Sequence, residues 1–196
     1  GIALQTIKLV FQYLEKSVLT GDPEAREKIH NASTMAGMAF ANDFLGMSHS
    51  MAHKIGGRFH TVHGRTNAIL LPYVIRYNGT RPSKTTTWPK YNYWKADEKF
   101  QDIARMLGLP HSTPEEAVAA YAKAVYELGE KVGIKMNFKD QGIDEQEWKK
   151  YTHELALLAY EDQCSPANPR LPMVADMEEI MNDAYYGYKE RPGRIK

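Results

Sequence analysis

Apolar positions recur at helical spacing from one end of the chain to the other. Ile2, Leu4, Ile7, Leu9, Val10, Phe11 and Leu14 make a broad stripe that Gly21-Asp22-Pro23 closes before a second helical stretch begins near Glu24. Residues 25–44 are rich in alanine and methionine. Small residues such as Ala32, Ala36, Gly37, Ala39 and Ala41 let neighbouring helices approach closely, so the pattern predicts a central, nearly encircled helix there. It stops around Gly46. Ser48 is placed to cap the next, short helix, which carries His49 and His53 and is expected to end at Gly56-Gly57. A further helix is predicted over 65–77, closing at the turn pair Asn78-Gly79, and residues 80–94 read as a long surface excursion. Residues 96–107 are amphipathic. Thr113-Pro114-Glu115-Glu116 starts a helix reaching Val132, Asp144 with Glu147 starts one reaching about Tyr160, and a last helix runs from Met173 to Tyr186 before Gly187. No segment alternates with the period of two that a half-buried strand requires. One all-α domain over 1–196 follows, of roughly eight helices, with loops that carry the site.

Composition narrows the class without naming it. The 196 residues are 43% apolar and 25% charged, and the formal net charge of +1 gives no reason to expect nucleic acid or an anionic membrane as partner. The longest apolar run, residues 68–75, is too short to cross a bilayer and is interrupted by Pro72. A single cysteine, Cys164, forms no internal disulfide, so a reducing, cytoplasmic setting is expected. The chain opens on glycine, which points to a piece of something longer.

Chemistry concentrates in one stretch. Four of the seven histidines, His49, His53, His60 and His63, fall within fifteen residues. Imidazole is the commonest protein ligand for mid-row divalent metals and the side chain best placed to move protons near neutral pH. His49 and His53, four apart, share a helix face. His60 and His63 then follow on a loop or short strand that the glycines free to fold back, with Met51, Ile55 and Phe59 to dry the surroundings. The HxxxH pair is not the zincin motif, because Ala52 and Met51 stand where a catalytic glutamate is needed. Spacing alone leaves open which of the four bind.

The run Gly37-Met38-Ala39-Phe40-Ala41-Asn42, with Leu45-Gly46, His49-Ser50-Met51-Ala52-His53, Gly56, Phe59-His60, His63-Gly64 and Asn67-Ala68, resembles the iron-dependent (group III) alcohol dehydrogenases, most closely the alcohol dehydrogenase part of the bifunctional aldehyde-alcohol dehydrogenases. Ile75-Arg76-Tyr77-Asn78, Asp162-Gln163-Cys164, Ala167-Asn168-Pro169-Arg170 and Tyr185-Tyr186-Gly187 extend the similarity over nearly the whole chain. The resemblance implies the helical C-terminal domain of the dehydroquinate synthase-like fold. It also implies a divalent ion, Fe2+ or Zn2+, held by an aspartate and three histidines, two of which match His49 and His63. His53 matches a histidine that lies by the nicotinamide of NAD and the substrate and serves proton relay, so it is expected both to act catalytically and to contact the cofactor. His60 has no metal role by this resemblance and is expected to pack at the mouth of the cleft. Phe40 and Cys164 match positions lining the substrate pocket, and Asn168, Pro169 and Arg170 read as fixing a loop.

Two departures stand out. Val62 replaces the proline that relatives commonly carry before the ligand histidine, and the D-x-x-x-H helix and glycine-rich nucleotide loop of the family precede the matched region. The implied reaction is reversible reduction of a short aldehyde such as acetaldehyde by NADH, the ion acting as a Lewis acid, with this piece alone inactive and its partner the dinucleotide-binding domain of the same polypeptide. Relatives assemble into filaments, so a homo-oligomer is expected, with the aromatic-rich segment 88–94 as a contact. Two other readings are a helical self-association module and a helical protein with a structural zinc closed by all four histidines.

Overall fold

Eight α-helices and one 3-10 turn account for the regular structure of the described residues, 1–82 and 94–187 of this computed structural model. No strand occurs among them. The expected contact segment 88–94 lies outside the described residues apart from Trp94.

Helices α1 (Ile2–Thr20) and α2 (Pro23–Asp43) form an antiparallel hairpin. The reversal is built locally. Gly21 takes a left-handed φ of 66°, the Asp22 carboxylate accepts the Ala25 N–H at 2.8 Å, and Pro23 fills the first helical position, where its missing N–H costs nothing. Against expectation, α2 is not encircled. Only Ala25 and Ala32 are buried along it, because its small residues admit one close neighbour, α1, while Met38, Phe40 and Phe44 stay about half exposed.

The encircled helix is α4 (His63–Gly79). Ile69, Leu70, Tyr73 and Val74 face one core, shared with α3 (Met47–Phe59), α7 (Glu145–Tyr160) and α8 (Val174–Tyr186). Ile75 faces a second core, with Ile103 of α5 (Ala96–Met106) and Val118, Tyr121 and Ala122 of α6 (Pro114–Lys131). Trp148 anchors the first core, fully buried between the rings of Phe59, Phe138 and Tyr185.

The start of α3 departs from its sequence reading. Ser48 is not its cap; the helix starts at Met47, whose N–H is received by Asn168 Oδ1 at 3.3 Å, and the Ser48 hydroxyl turns to Asn67. Asn168 exchanges two further hydrogen bonds with Asn78, and Arg170 donates to the carbonyls of Tyr77 and Thr80 at the end of α4. The Asn168-Pro169-Arg170 loop thus ties the first turn of the histidine-bearing helix to the last turn of its neighbour.

Gly46 is where this tie is tightest, since a Cβ there would meet Asn168 Oδ1 at 2.8 Å. Gly46→Ala is therefore expected to destabilise the fold by about 1–3 kcal/mol by displacing Asn168 and orphaning its buried partners. Gly57→Ala should do the opposite. Gly57 sits in the exposed interior of α3 with nothing within 4 Å of a Cβ, so alanine is worth up to about 1 kcal/mol of helix propensity there. Thermal unfolding of the two variants checks both signs.

Candidate metal and proton-transfer site

The Gly56-Gly57 pair does not end α3. The helix runs on to Phe59 and is stopped by His60, which adopts a left-handed φ of 55°. Two extended or irregular residues follow, and His63 opens α4, neither on a loop nor on a strand. This sharp reversal brings the start of α4 back beside the histidine face of α3.

Three imidazoles meet there. The ring centres of His49 and His63 lie 5.4 Å apart, those of His53 and His63 5.5 Å, and those of His49 and His53 6.3 Å. Two imidazoles sharing a tetrahedral ion through bonds of about 2.1 Å have ring centres roughly 5 Å apart, so His63 approaches both His49 and His53 at a spacing near that of two ligands of one ion. Burial, then positive charge on His63 and His53, pulls the pKa of His49 below its ordinary 6.5. The neutral, ligand-competent form is favoured as a result. Asn67, one turn into α4, places its amide nitrogen 3.3 Å from His63 Nε2 and 3.2 Å from the His63 carbonyl. That amide, itself held by Ser48, orients the ring from the side.

His60 stays apart. It is exposed and lines a cavity of about 480 Å³ with Arg58, Arg65, Asp144 and Glu147, to which His49, His53 and His63 contribute nothing. This placement runs against a site closed by all four histidines, and it sets His60 at a separate cavity. The physical reason is its role as the left-handed stop of α3, which turns its side chain out of the helix face that carries the others.

His53 has a partner that the sequence reading did not identify. Its Nδ1 lies 3.2 Å from Asp162 Oδ2, and the same oxygen receives Lys54 Nζ at 2.9 Å, while Asp162 Oδ1 accepts the Cys164 backbone N–H at 3.0 Å. Burial opposes ionisation of this carboxyl, but the hydrogen bonds from Lys54, the Cys164 backbone and His53 more than offset it and hold its pKa well below the usual carboxylate range. Cys164 is buried beside them, its thiol pushed up to about 11 by burial and then by Asp162. The thiol is therefore held protonated near neutral pH, which argues against a nucleophilic role. Donor atoms of His53, Asp162 and Cys164 all lie within 4.8 Å of one another, close enough in principle for a cation. The Lys54 ammonium already supplies the positive charge at that point, and the thiol is protonated. Phe40, the other expected substrate contact, sits on the exposed face of α2, whose packing is against α1.

No helix among the described residues is long and apolar enough to cross a membrane. Residues 1–185 match the model of the Fe-containing alcohol dehydrogenase family, C-terminal part. The chain is 78% identical over its whole length to the aldehyde-alcohol dehydrogenase of Streptococcus pneumoniae serotype 2, of which it covers 22%. It is also 41% identical, over 95% of its length, to the NADPH-dependent butanol dehydrogenase of Clostridium saccharobutylicum, covering 44% of that protein. Among solved structures, the iron-containing alcohol dehydrogenase of Thermococcus thioreducens superposes with a TM-score of 0.76 at 34% identity, over 95% of this chain and 43% of that one. The chain thus spans from about a fifth to under half the length of these relatives.

Proposed function

This chain belongs to the Fe-containing alcohol dehydrogenase family, as its C-terminal helical domain, and we propose that within a longer polypeptide it binds a divalent ion, Fe2+ or Zn2+, and completes the substrate site of an enzyme that reversibly reduces short aldehydes such as acetaldehyde with NADH. The observation that carries the proposal is the 5.4 Å approach of His49 and His63 from two different helices, with His53 beside them. When bound, the ion supplies Lewis-acid polarisation of the aldehyde oxygen and NADH supplies the hydride.

The chain's own residues do the rest. His49 and His63 give two neutral nitrogen ligands from elements locked together by the Asn67–Ser48 and Asn168–Met47 hydrogen bonds. His53, a third exposed at its side chain, reaches both the site and solvent, so it can hand a proton to the substrate oxygen and recover one from water. Cys164 closes one wall. We assign Phe40 to substrate contact in the complete polypeptide and the exposed apolar end of α2, with Met38 and Phe44, to contact with the dinucleotide-binding part of the same polypeptide. Self-association of the longer chain belongs to the same reading.

The test is NADH oxidation by acetaldehyde on the complete polypeptide before and after metal removal, beside the isolated 196 residues. Activity should vanish on chelation, return with Fe2+ or Zn2+, and be absent from the isolated domain. Turnover by the metal-free enzyme, or by the domain alone, overturns the proposal.

A further inference from the structure

We infer that Asp162 is a positioning residue for proton transfer: its carboxylate fixes the tautomer and orientation of His53, leaving Nε2 as the atom that exchanges a proton with the substrate oxygen. The inference rests on the function proposed above and adds to it a residue 109 positions away in the chain.

The tautomer follows from donor and acceptor counting. An ionised carboxylate only accepts, so the nitrogen of His53 that faces it at 3.2 Å must carry the hydrogen. In the neutral ring the lone pair then sits on Nε2, which has no protein partner among the described residues. The carboxylate is itself held on several sides. Its side chain is 8% exposed, Lys54 donates to one oxygen and the Cys164 backbone to the other, and the Asp162 carbonyl accepts the Ser165 N–H at 3.0 Å. Ser165 in turn donates to Ala159 O at 2.6 Å and lies 3.0 Å from the buried Ser50 hydroxyl, next to His49 in the sequence, which docks the whole 162–167 turn onto α3. A loop packed this tightly against the helix it serves sets a ring rotamer, where a surface carboxylate would only bias it.

The proton accounting is simple. In the reducing direction a bound NADH would supply the hydride to the carbonyl carbon, and the part of His53 is the proton, which leaves Nε2 of its imidazolium for the carbonyl oxygen as the π pair moves there. The Nδ1–H stays with Asp162 throughout. The neutral ring then regains its proton from solvent, and alcohol oxidation runs the same steps backwards.

Asp162→Asn tests this on the complete polypeptide. The amide is uncharged and has a single acceptor oxygen, so it cannot serve the Cys164 N–H, the Lys54 ammonium and the His53 Nδ1–H together, and the hold on the His53 tautomer is lost. We expect kcat to fall about 10- to 100-fold, with the aldehyde KM within about 2-fold and metal content unchanged, and Asp162→Glu to recover much of the loss. Added to His53→Ala, the Asp162→Asn change should cost almost nothing more, because both act through one ring. Gln163→Ala, which changes an exposed side chain of the same turn outside the Asp162 contacts, should leave kcat within about 3-fold, and recovery in Asp162→Glu separates positioning from general loop stability even where Asp162→Asn folds poorly. The inference is overturned by full kcat in metal-replete Asp162→Asn, by losses that multiply in the double variant, or by a Gln163→Ala variant as slow as Asp162→Asn. Failure of the underlying function reads elsewhere, as wild-type turnover that survives metal removal.

Discussion

His49→Ala and His63→Ala, made singly in the complete polypeptide, are each expected to strip the bound metal and lower turnover by about three orders of magnitude or more, since a Lewis acid is worth several kcal/mol to the developing oxygen charge and about 1.4 kcal/mol is a factor of ten. The loss will not read as unfolding. His63 is exposed and His49 only partly buried, so truncating either ring removes little packing, and the buried face of α3, Met47, Met51, Ala52 and Ile55, lies on the other side of the helix. His60→Ala is the matched control from the same histidine cluster. It should keep full metal and activity, because its ring lines a separate cavity. His53→Ala should keep the metal and lose turnover. Measured metal per chain and kcat for these four variants decide the assignment: a His63→Ala enzyme that retains its ion, or a His60→Ala enzyme that sheds it, removes the basis for reading His49 and His63 as the ligand pair.

Why the sequence showed some of this and hid the rest follows from range. Caps made by neighbours in the chain were legible: Thr113 accepts the Glu116 N–H, Asp144 accepts those of Gln146 and Glu147, and Gly187 closes α8 with a φ of 82°. Even there the glutamate three residues on does not return to the N–H of the cap residue itself, since Glu116 reaches back to the Ser112 N–H and Glu147 pairs with Arg58. The start of α3 was illegible because its cap, Asn168, stands 121 residues away. Small residues in α2 declared that something packs closely but not how many neighbours do so, and the glycines of α3 marked a helix that tolerates them because the surrounding packing outweighs a cost of about 1 kcal/mol each. At the site, the four-residue spacing put His49 and His53 on one face directly, and the return of His63 depended on a tight turn that spacing only permitted. Asp162 was in view as the first residue of Asp162-Gln163-Cys164. Its role was not, because nothing local to a carboxylate says which imidazole it will meet.

The same long-range logic makes Trp148→Ala the most damaging single truncation away from the histidines. The indole is fully buried, with ring centres 5.6 Å from Phe59, 5.3 Å from Phe138 and 4.8 Å from Tyr185, and its N–H donates to Asn182 Oδ1 at 3.0 Å. These partners come from the last turn of α3, the 137–143 segment and α8. Removing the ring leaves a cavity between three elements that are tied to each other elsewhere and so collapse poorly, which puts the cost near the usual range of about 3–5 kcal/mol for a buried aromatic. For a chain of this size that lowers the melting temperature by roughly 6–20 °C, against a smaller drop for Trp148→Phe, which keeps most of the volume and loses the hydrogen bond. The functional consequence is specific. Phe59 is the residue before the left-handed stop at His60, so loosening its seat loosens the turn that delivers His63 to His49, and metal affinity should fall in Trp148→Ala at temperatures well below its melting point. A melting temperature within about 3 °C of the parent would show that Phe59, Phe138 and Tyr185 close over the gap by themselves. An unchanged metal affinity alongside a large thermal shift would show that the turn at His60 is held by α3 and α4 alone.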